Sequence, residues 1–213
     1  IGAAAVSGET YSWSPTTGLS SSTAANPKAN PSSTTTYTVT ATKTSTGCTD
    51  TDKVTVTVNT TNPTAGITNN TGTTEINCTT TSIKVTATGG GTYSWSGGST
   101  PKTAANTFTA AATYTVTVTS SSNGCTDTES ITITQDVSTP TASASNNGPV
   151  CVGSSLTLTG GAASQTSYAW TGPNSYTSSS QSPTVSSSAS TAMDGTYTIT
   201  VTASNGCTST ANT

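Results

Sequence analysis

The chain has 213 residues, a net charge of −3 and only 6% charged residues; it has no histidine, and its basic residues are five lysines, Lys28, Lys43, Lys53, Lys84 and Lys102. Without histidine or arginine, His-based triads, His-based metal sites and arginine clamps are excluded, and the acidic balance argues against a nucleic-acid partner. Neither a leader-like segment nor an apolar run of about 18 residues is present, so no membrane insertion is expected of this segment, and no cofactor.

Taken in chain order, the first alternating stretch is "TYSWS" around Trp13, followed by "TTYTVTAT" and "DKVTVTV". Alternation of Thr or Ser with Val, Ile and Tyr is the period of half-buried strands and separates this polar chain from disorder. Pro63 marks a short linker. Strands are then expected near 64–69, 83–88, 92–96, 106–109, 113–120 and 128–134, with a weak one between the third and fourth. After a second linker at Pro140, Leu156/Leu158, Tyr168/Trp170 and "TYTITVT" repeat the pattern.

The three tryptophans, Trp13, Trp95 and Trp170, recur about 80 residues apart, and Tyr37, Tyr114 and Tyr197 each precede a Gly-Cys step. These are three copies of one domain: 1–60, truncated at its N-terminal side; 61–136, complete; and 137–213, lacking its last strand. Ile1 aligns with Ile83, so the first copy should begin inside its second strand, and the third stops before a counterpart of "SITIT". The expectation is a window on a longer polypeptide, with further repeats of the same chain as partners.

About seven short strands per complete copy, separated by turn signals, give the fold class: all-β, tandem immunoglobulin-like (PKD-like) β-sandwiches arranged end to end. "WSPTTGLSSSTAANPKANPSSTTTYTVTAT" followed by "GCTDTDKVTVTV" resembles the tandem Ig-like or PKD-like repeats of very large secreted Bacteroidetes surface proteins, most like SprB-type gliding-motility adhesins exported by type IX secretion. The resemblance implies a non-enzymatic stalk or adhesive filament at the cell surface, with surface polysaccharide or other cell-surface components as partners. Similar repeats also serve as spacers or carbohydrate-binding modules in secreted hydrolases, which is the competing reading.

Residues i and i+2 of a strand share a face, so Tyr11/Trp13, Tyr93/Trp95 and Tyr168/Trp170 each lie together. The tryptophans, with Tyr37, Tyr114 and Tyr197 and with Phe108, are expected in the cores rather than on a sugar-binding platform. Only Tyr176 falls outside the repeated pattern.

The five cysteines lack CxxC spacing and suggest disulfides in an extracellular setting. Cys78 and Cys151 precede the second strand of their copies, whereas Cys125 and Cys207 lie in the turn between the last two strands, about 20 Å away at 3.3 Å per residue. A bridge needs Cα atoms within about 7 Å. The favoured arrangement is an inter-domain staple, Cys78–Cys207, with Cys48, Cys125 and Cys151 paired outside the window. Intradomain pairs Cys78–Cys125 and Cys151–Cys207, or free thiols, stay open.

Asp50/Asp52 and Asp127/Glu129 recur after their cysteines and form weak calcium candidates; solvated charge that blunts a strand edge is the favoured reading. They do not resemble the paired carboxylates of a glycosidase. Lys53 and Lys84 fall on the outward parity, against Lys–Asn crosslinks. Asn59, Asn69 and Asn77 stand in N-glycosylation patterns.

Overall fold

The computed structural model describes residues 1–213, whose regular elements are all strands apart from two short 3-10 turns. Two compact units emerge, Ile1–Asn62 with Ser120–Cys125, and Pro63–Thr119 with Thr126–Thr213.

In the first unit, β1 (Glu9–Ser14), β2 (Thr35–Lys43) and β3 (Thr49–Val56) make one antiparallel sheet in the order β1-β2-β3. The register sets Trp13 opposite Val39 and Tyr37 opposite Val54, which puts the apolar side chains on one face. Trp13 and Tyr37 are buried. Their polar atoms need partners in that setting, and the β1–β2 connection supplies them: the Trp13 indole N–H donates to the Ala24 carbonyl (2.8 Å) and the Tyr37 hydroxyl to the Thr17 carbonyl (2.7 Å). The second strand expected at Ile1 does not form; Ile1–Val6 is irregular and the terminal ammonium donates to the Pro27 carbonyl. A strand there needs a neighbour for its backbone groups, and Pro27 and Pro31, which lack N–H donors, interrupt the stretch that would supply one.

The second unit contains two sandwiches. The first comprises β4 (Gly66–Asn69), β5 (Glu75–Ile76), β6 (Ile83–Thr88), β7 (Thr92–Trp95), β8 (Ala105–Phe108), β9 (Ala112–Thr119) and β10 (Thr126–Gln135). Its sheets run β4-β6-β8 and β5-β10-β9-β7. Ile83, Val85 and Ala87 of β6 face Trp95, Val116, Val118 and Ile133 of the other layer in a single core. Phe108 sits between them, edge-on to Trp95 at 5.5 Å and stacked on Tyr114 at 3.8 Å. This is the two-layer immunoglobulin-like arrangement.

Two details depart from expectation. The first strand breaks after Asn69, whose side chain accepts the N–H groups of Thr71 and Gly72 (2.9 and 3.2 Å). The chain then re-enters the other sheet as β5, parallel to the end of β10. The weak strand between β7 and β8 is absent. Asn106, 3% exposed, coils that stretch instead: its Nδ2 donates to the Gly97 carbonyl (2.8 Å) and its Oδ1 accepts the Thr100 N–H (3.0 Å).

The last sandwich has β11 (Ser143–Asn146), β12 (Leu156–Gly161), β13 (Ser167–Gly172), β14 (Tyr176–Ser178), β15 (Thr184–Ser186), β16 (Thr198–Thr202) and β17 (Thr208–Asn212). Its sheets are β11-β12-β15 and β14-β13-β16-β17, around Leu156, Leu158, Trp170, Tyr197, Ile199 and Val201. Here β17 pairs along all of β16, which corrects the expectation that this repeat lacks its last strand. Tyr176, outside the repeated pattern, lies on β14 and packs edge-on against Tyr197 at 5.6 Å, as part of the core's margin.

The aromatic polar atoms repeat their bonding. Indole N–H groups of Trp95 and Trp170 donate to the carbonyls of Thr103 (3.0 Å) and Gln181 (3.2 Å), in the connection that follows each tryptophan. The hydroxyls of Tyr114 and Tyr197 donate back to Ala110 (3.1 Å) and Met193 (3.0 Å), a tyrosine corner in each sandwich.

Replacing Trp95 by Ala should cost about 3–5 kcal/mol, because it opens a cavity and orphans the Thr103 carbonyl. Urea unfolding monitored by the remaining tryptophans checks this, and a loss below about 1 kcal/mol would contradict the central role given to the ring. A second expectation concerns alkali. Burial, reinforced by Tyr176, raises the Tyr197 phenol above its ordinary 10.0. The fold therefore favours the neutral phenol; that contribution is full below pH 10 and is lost as pH rises through the raised value. Tyr197→Phe should flatten the alkaline end of the stability–pH curve, and identical curves would refute the assignment.

Candidate functional site

Two of the recurrent cysteines, Cys78 and Cys207, meet at the joint between the second and third repeats. Its first half is the β16–β17 turn, Asn205-Gly206-Cys207. Gly206 has φ +77°, a left-handed conformation that favours glycine, and its N–H donates to the Ala203 carbonyl (3.0 Å). The Asn205 Oδ1 accepts the Cys207 N–H (3.0 Å), closing the turn. Its Nδ2 reaches the incoming linker and donates to the carbonyls of Ser138 (2.9 Å) and Asp136 (3.4 Å). Asn205 is only 7% exposed, so these bonds operate largely shielded from water. In the linker, the Ser138 backbone and hydroxyl, together with the Asn205 side chain, hold the Asp136 carboxyl below its ordinary value.

The second half is the turn before β6. Asn77 Oδ1 accepts the N–H groups of Thr79 and Thr80 (3.0 and 2.8 Å), which leaves the Cys78 N–H directed outward. That N–H donates to the Asn205 carbonyl (3.2 Å). Cys78 and Cys207 are joined by a disulfide, with Cα atoms 4.9 Å apart and Cys207 fully buried. Gly206 lies directly on the Thr79 methyl, so that a Cβ at 206 would collide with it. Backbone bond, disulfide and close approach are thus made by one tripeptide on another.

Within the first unit, Asn123 repeats the same pattern. Its Oδ1 accepts the Cys125 N–H (3.0 Å), and its Nδ2 donates to the carbonyls of Thr61 (2.9 Å) and Asn59 (3.3 Å). Two residues beyond each cysteine, a second side chain holds the start of the following first strand. Asp127 Oδ2 accepts the Ala65 N–H (2.9 Å); Ser209 Oγ accepts the Ala142 N–H (3.1 Å) and donates to the Pro140 carbonyl (2.6 Å).

The sequence-derived candidates fall into place accordingly. Cys78 and Cys207 meet, which leaves no room for the intradomain pairs Cys78–Cys125 and Cys151–Cys207; Cys48, Cys125 and Cys151 carry free thiols. Of the calcium candidates, Asp127 serves the Ala65 N–H, while Asp50 and Asp52 accept the N–H of the residue that follows each (2.8 and 2.7 Å). Glu129 accepts the Ser130 N–H (3.2 Å). No three His, Cys, Asp or Glu side chains gather at one point. Lys53 and Lys84 are exposed. Sequence reading missed Asn123 and Asn205, although the recurrent "NGC" at both positions was the available signal.

No family model and no curated protein matches the chain. Similar solved structures include an amphioxus IgVJ-C2 molecule, at 18% identity over 51% of this chain, with TM-score 0.31. Another is the three N-terminal domains of the bacteriophage RB49 highly immunogenic outer capsid protein, at 18% identity over 96% of this chain and 86% of that one, TM-score 0.34. A third is the N-terminal four Ig domains of Dscam1 isoform 6.44, at 15% identity over 95% of this chain, TM-score 0.27. The chain spans 64% of the amphioxus molecule's length and 63% of the Dscam1 fragment's. At such values the immunoglobulin-like assignment rests on this chain's own sheets and registers.

Asn205→Ala should remove the linker's hold at a cost of about 1–3 kcal/mol, because two carbonyls lose a shielded donor. Hydrogen exchange across residues 136–142 is the measurement; faster exchange confined to that stretch is expected, and unchanged exchange would dismiss the asparagine as a clamp.

Proposed function

We propose that the chain is a non-enzymatic structural and adhesive segment of a large secreted cell-surface filament protein, a gliding or attachment adhesin of the SprB-type class. The observation that carries this reading is the joint: a disulfide and an asparagine clamp tie one sandwich to the next, and the linker is bound rather than loose. Such a connection suits modules that transmit load along an array, whereas a flexible spacer needs only an unbound linker. The disulfide is consistent with an oxidising, extracellular location. Thr-rich outer faces with few charges suit a surface protein that presents many strands to water and to polysaccharide. Further repeats of the same polypeptide are the expected neighbours, and type IX secretion the expected export route.

The alternative, spacer or carbohydrate-binding modules of a secreted hydrolase, shares the fold and differs in what the repeats support. In-frame removal of the repeat region in the producing cell distinguishes them. Loss of surface attachment or gliding, with secreted glycosidase activities unchanged, is expected. Intact attachment with a defective secreted hydrolase would overturn the adhesin reading.

A further inference from the structure

An Asn-Gly step is prone to lose ammonia from its side chain, because glycine has no Cβ to shield the attacking backbone nitrogen. The chain has three such steps, at Asn123, Asn147 and Asn205, and Asn205-Gly206 sits inside the closed joint between Cys78 and Cys207. In the reaction the Gly206 nitrogen gives up its proton and attacks Asn205 Cγ. The new N–Cγ bond closes a cyclic imide as the Cγ–Nδ2 bond breaks, and ammonia leaves with that proton. Water then opens the imide to aspartate or isoaspartate.

The closed joint denies each of these requirements. The Gly206 N–H is engaged by the Ala203 carbonyl (3.0 Å). The carboxamide is held away from that nitrogen: Oδ1 accepts the Cys207 N–H (3.0 Å), and Nδ2 donates to the carbonyls of Ser138 (2.9 Å) and Asp136 (3.4 Å). Asn205 is largely buried, which restricts hydroxide and water. Much of this restraint comes from the second sandwich. Asp136 is anchored there, its N–H donating to the Ile76 carbonyl (2.9 Å), and the Cys78 N–H donates to the Asn205 carbonyl (3.2 Å). Thr79 covers Gly206, and the disulfide holds Cys207 in place. When the sandwiches part, Asn205 keeps only a short turn of its own, and such turns open locally at little cost.

We propose that Asn205 is a masked deamidation site, shut while the joint is closed and reactive once it opens. The reaction runs one way, and its product no longer fits. A carboxylate replaces Nδ2, so the Ser138 and Asp136 carbonyls face an acceptor instead of a donor. The new charge also stands beside the Asp136 carboxyl, which Ser138 and Asn205 now hold in its ionised form. A joint that has opened for long is thereby marked and loses its clamp. This goes beyond the adhesive reading and is independent of it, since it concerns the joint whatever the array supports.

The test is prolonged incubation of the intact, oxidised chain in mildly alkaline buffer, with peptide mapping of amide-to-acid conversion at all three steps. The reduced chain in urea supplies the rate of each step without structure. Asn205 should convert about tenfold or more slowly in the folded chain than in urea, because reaction waits for local opening. Cys78→Ser, a change at an exposed position, should speed Asn205 by about threefold or more and leave Asn147 unchanged, since that step lies in the β11–β12 connection. Mild reduction of the unmodified chain should act in the same way. Asn205→Asp, which stands for the product, should speed hydrogen exchange across residues 136–142. Conversion of Asn205 at its urea rate in the oxidised chain, or at one rate with and without the bridge, would overturn the proposal. So would equal acceleration at Asn147, which reports opening of the whole sandwich, or an Asn205→Asp chain whose linker stays protected.

Discussion

An indole that must bury its rings and satisfy its N–H underlies every repeat in this chain. Each has few large apolar residues, so Trp13, Trp95 and Trp170 supply much of the surface removed from water. The N–H of each then fixes a carbonyl in the connection that follows: Ala24, Thr103 and Gln181. One side chain therefore centres the core and positions the loop that closes over it. The tyrosine on or next to the neighbouring strand does the same for another connection.

With the interiors held in this way, the ends are free to specialise. At the joint, hydrogen bonds to backbone carbonyls do most of the positioning, and they come from amide and hydroxyl side chains rather than from ion pairs. This matches a chain with very few charges: the geometry is set by neutral donors whose strength does not fall with salt, unlike that of exposed charge pairs. The Cys78–Cys207 bridge closes a separation of 129 residues, for which the chain-entropy account gives about 5 kcal/mol of restraint on the unfolded state. Positioning and restraint are thus divided between different groups.

Much of this was legible in the sequence because strands have a period of two. The inward faces of Trp95, Val116, Ile83 and Phe108 and the outward lysines all follow from parity. Strand length together with the end-to-end order of the repeats favours the Cys78–Cys207 pairing. What escaped notice were side chains that act on distant backbone. Asp127 bonds Ala65, 62 residues away, and nothing local to either residue marks the contact. Asn106 looks like an ordinary polar strand residue, yet it is buried and coils the preceding loop in place of the expected strand. The first repeat's irregular start depends on Pro27 and Pro31, whose missing backbone donors outweigh the alignment of Ile1 with Ile83. Tyr176 seemed solitary because β14 has no counterpart in the other copies.

The glycine at position 206 has a wider meaning. Its bare Cα is what allows one sandwich to rest on the next, and the residue it rests on belongs to the same kind of repeat that carries the glycine. The second repeat thus carries both a plug, Asn123-Gly124-Cys125, and a socket, Cys78-Thr79. Unequal recombination between such modules can add or remove whole units while every seam keeps its chemistry, so the reach of the molecule can be inherited as a variable trait without redesign of any interface.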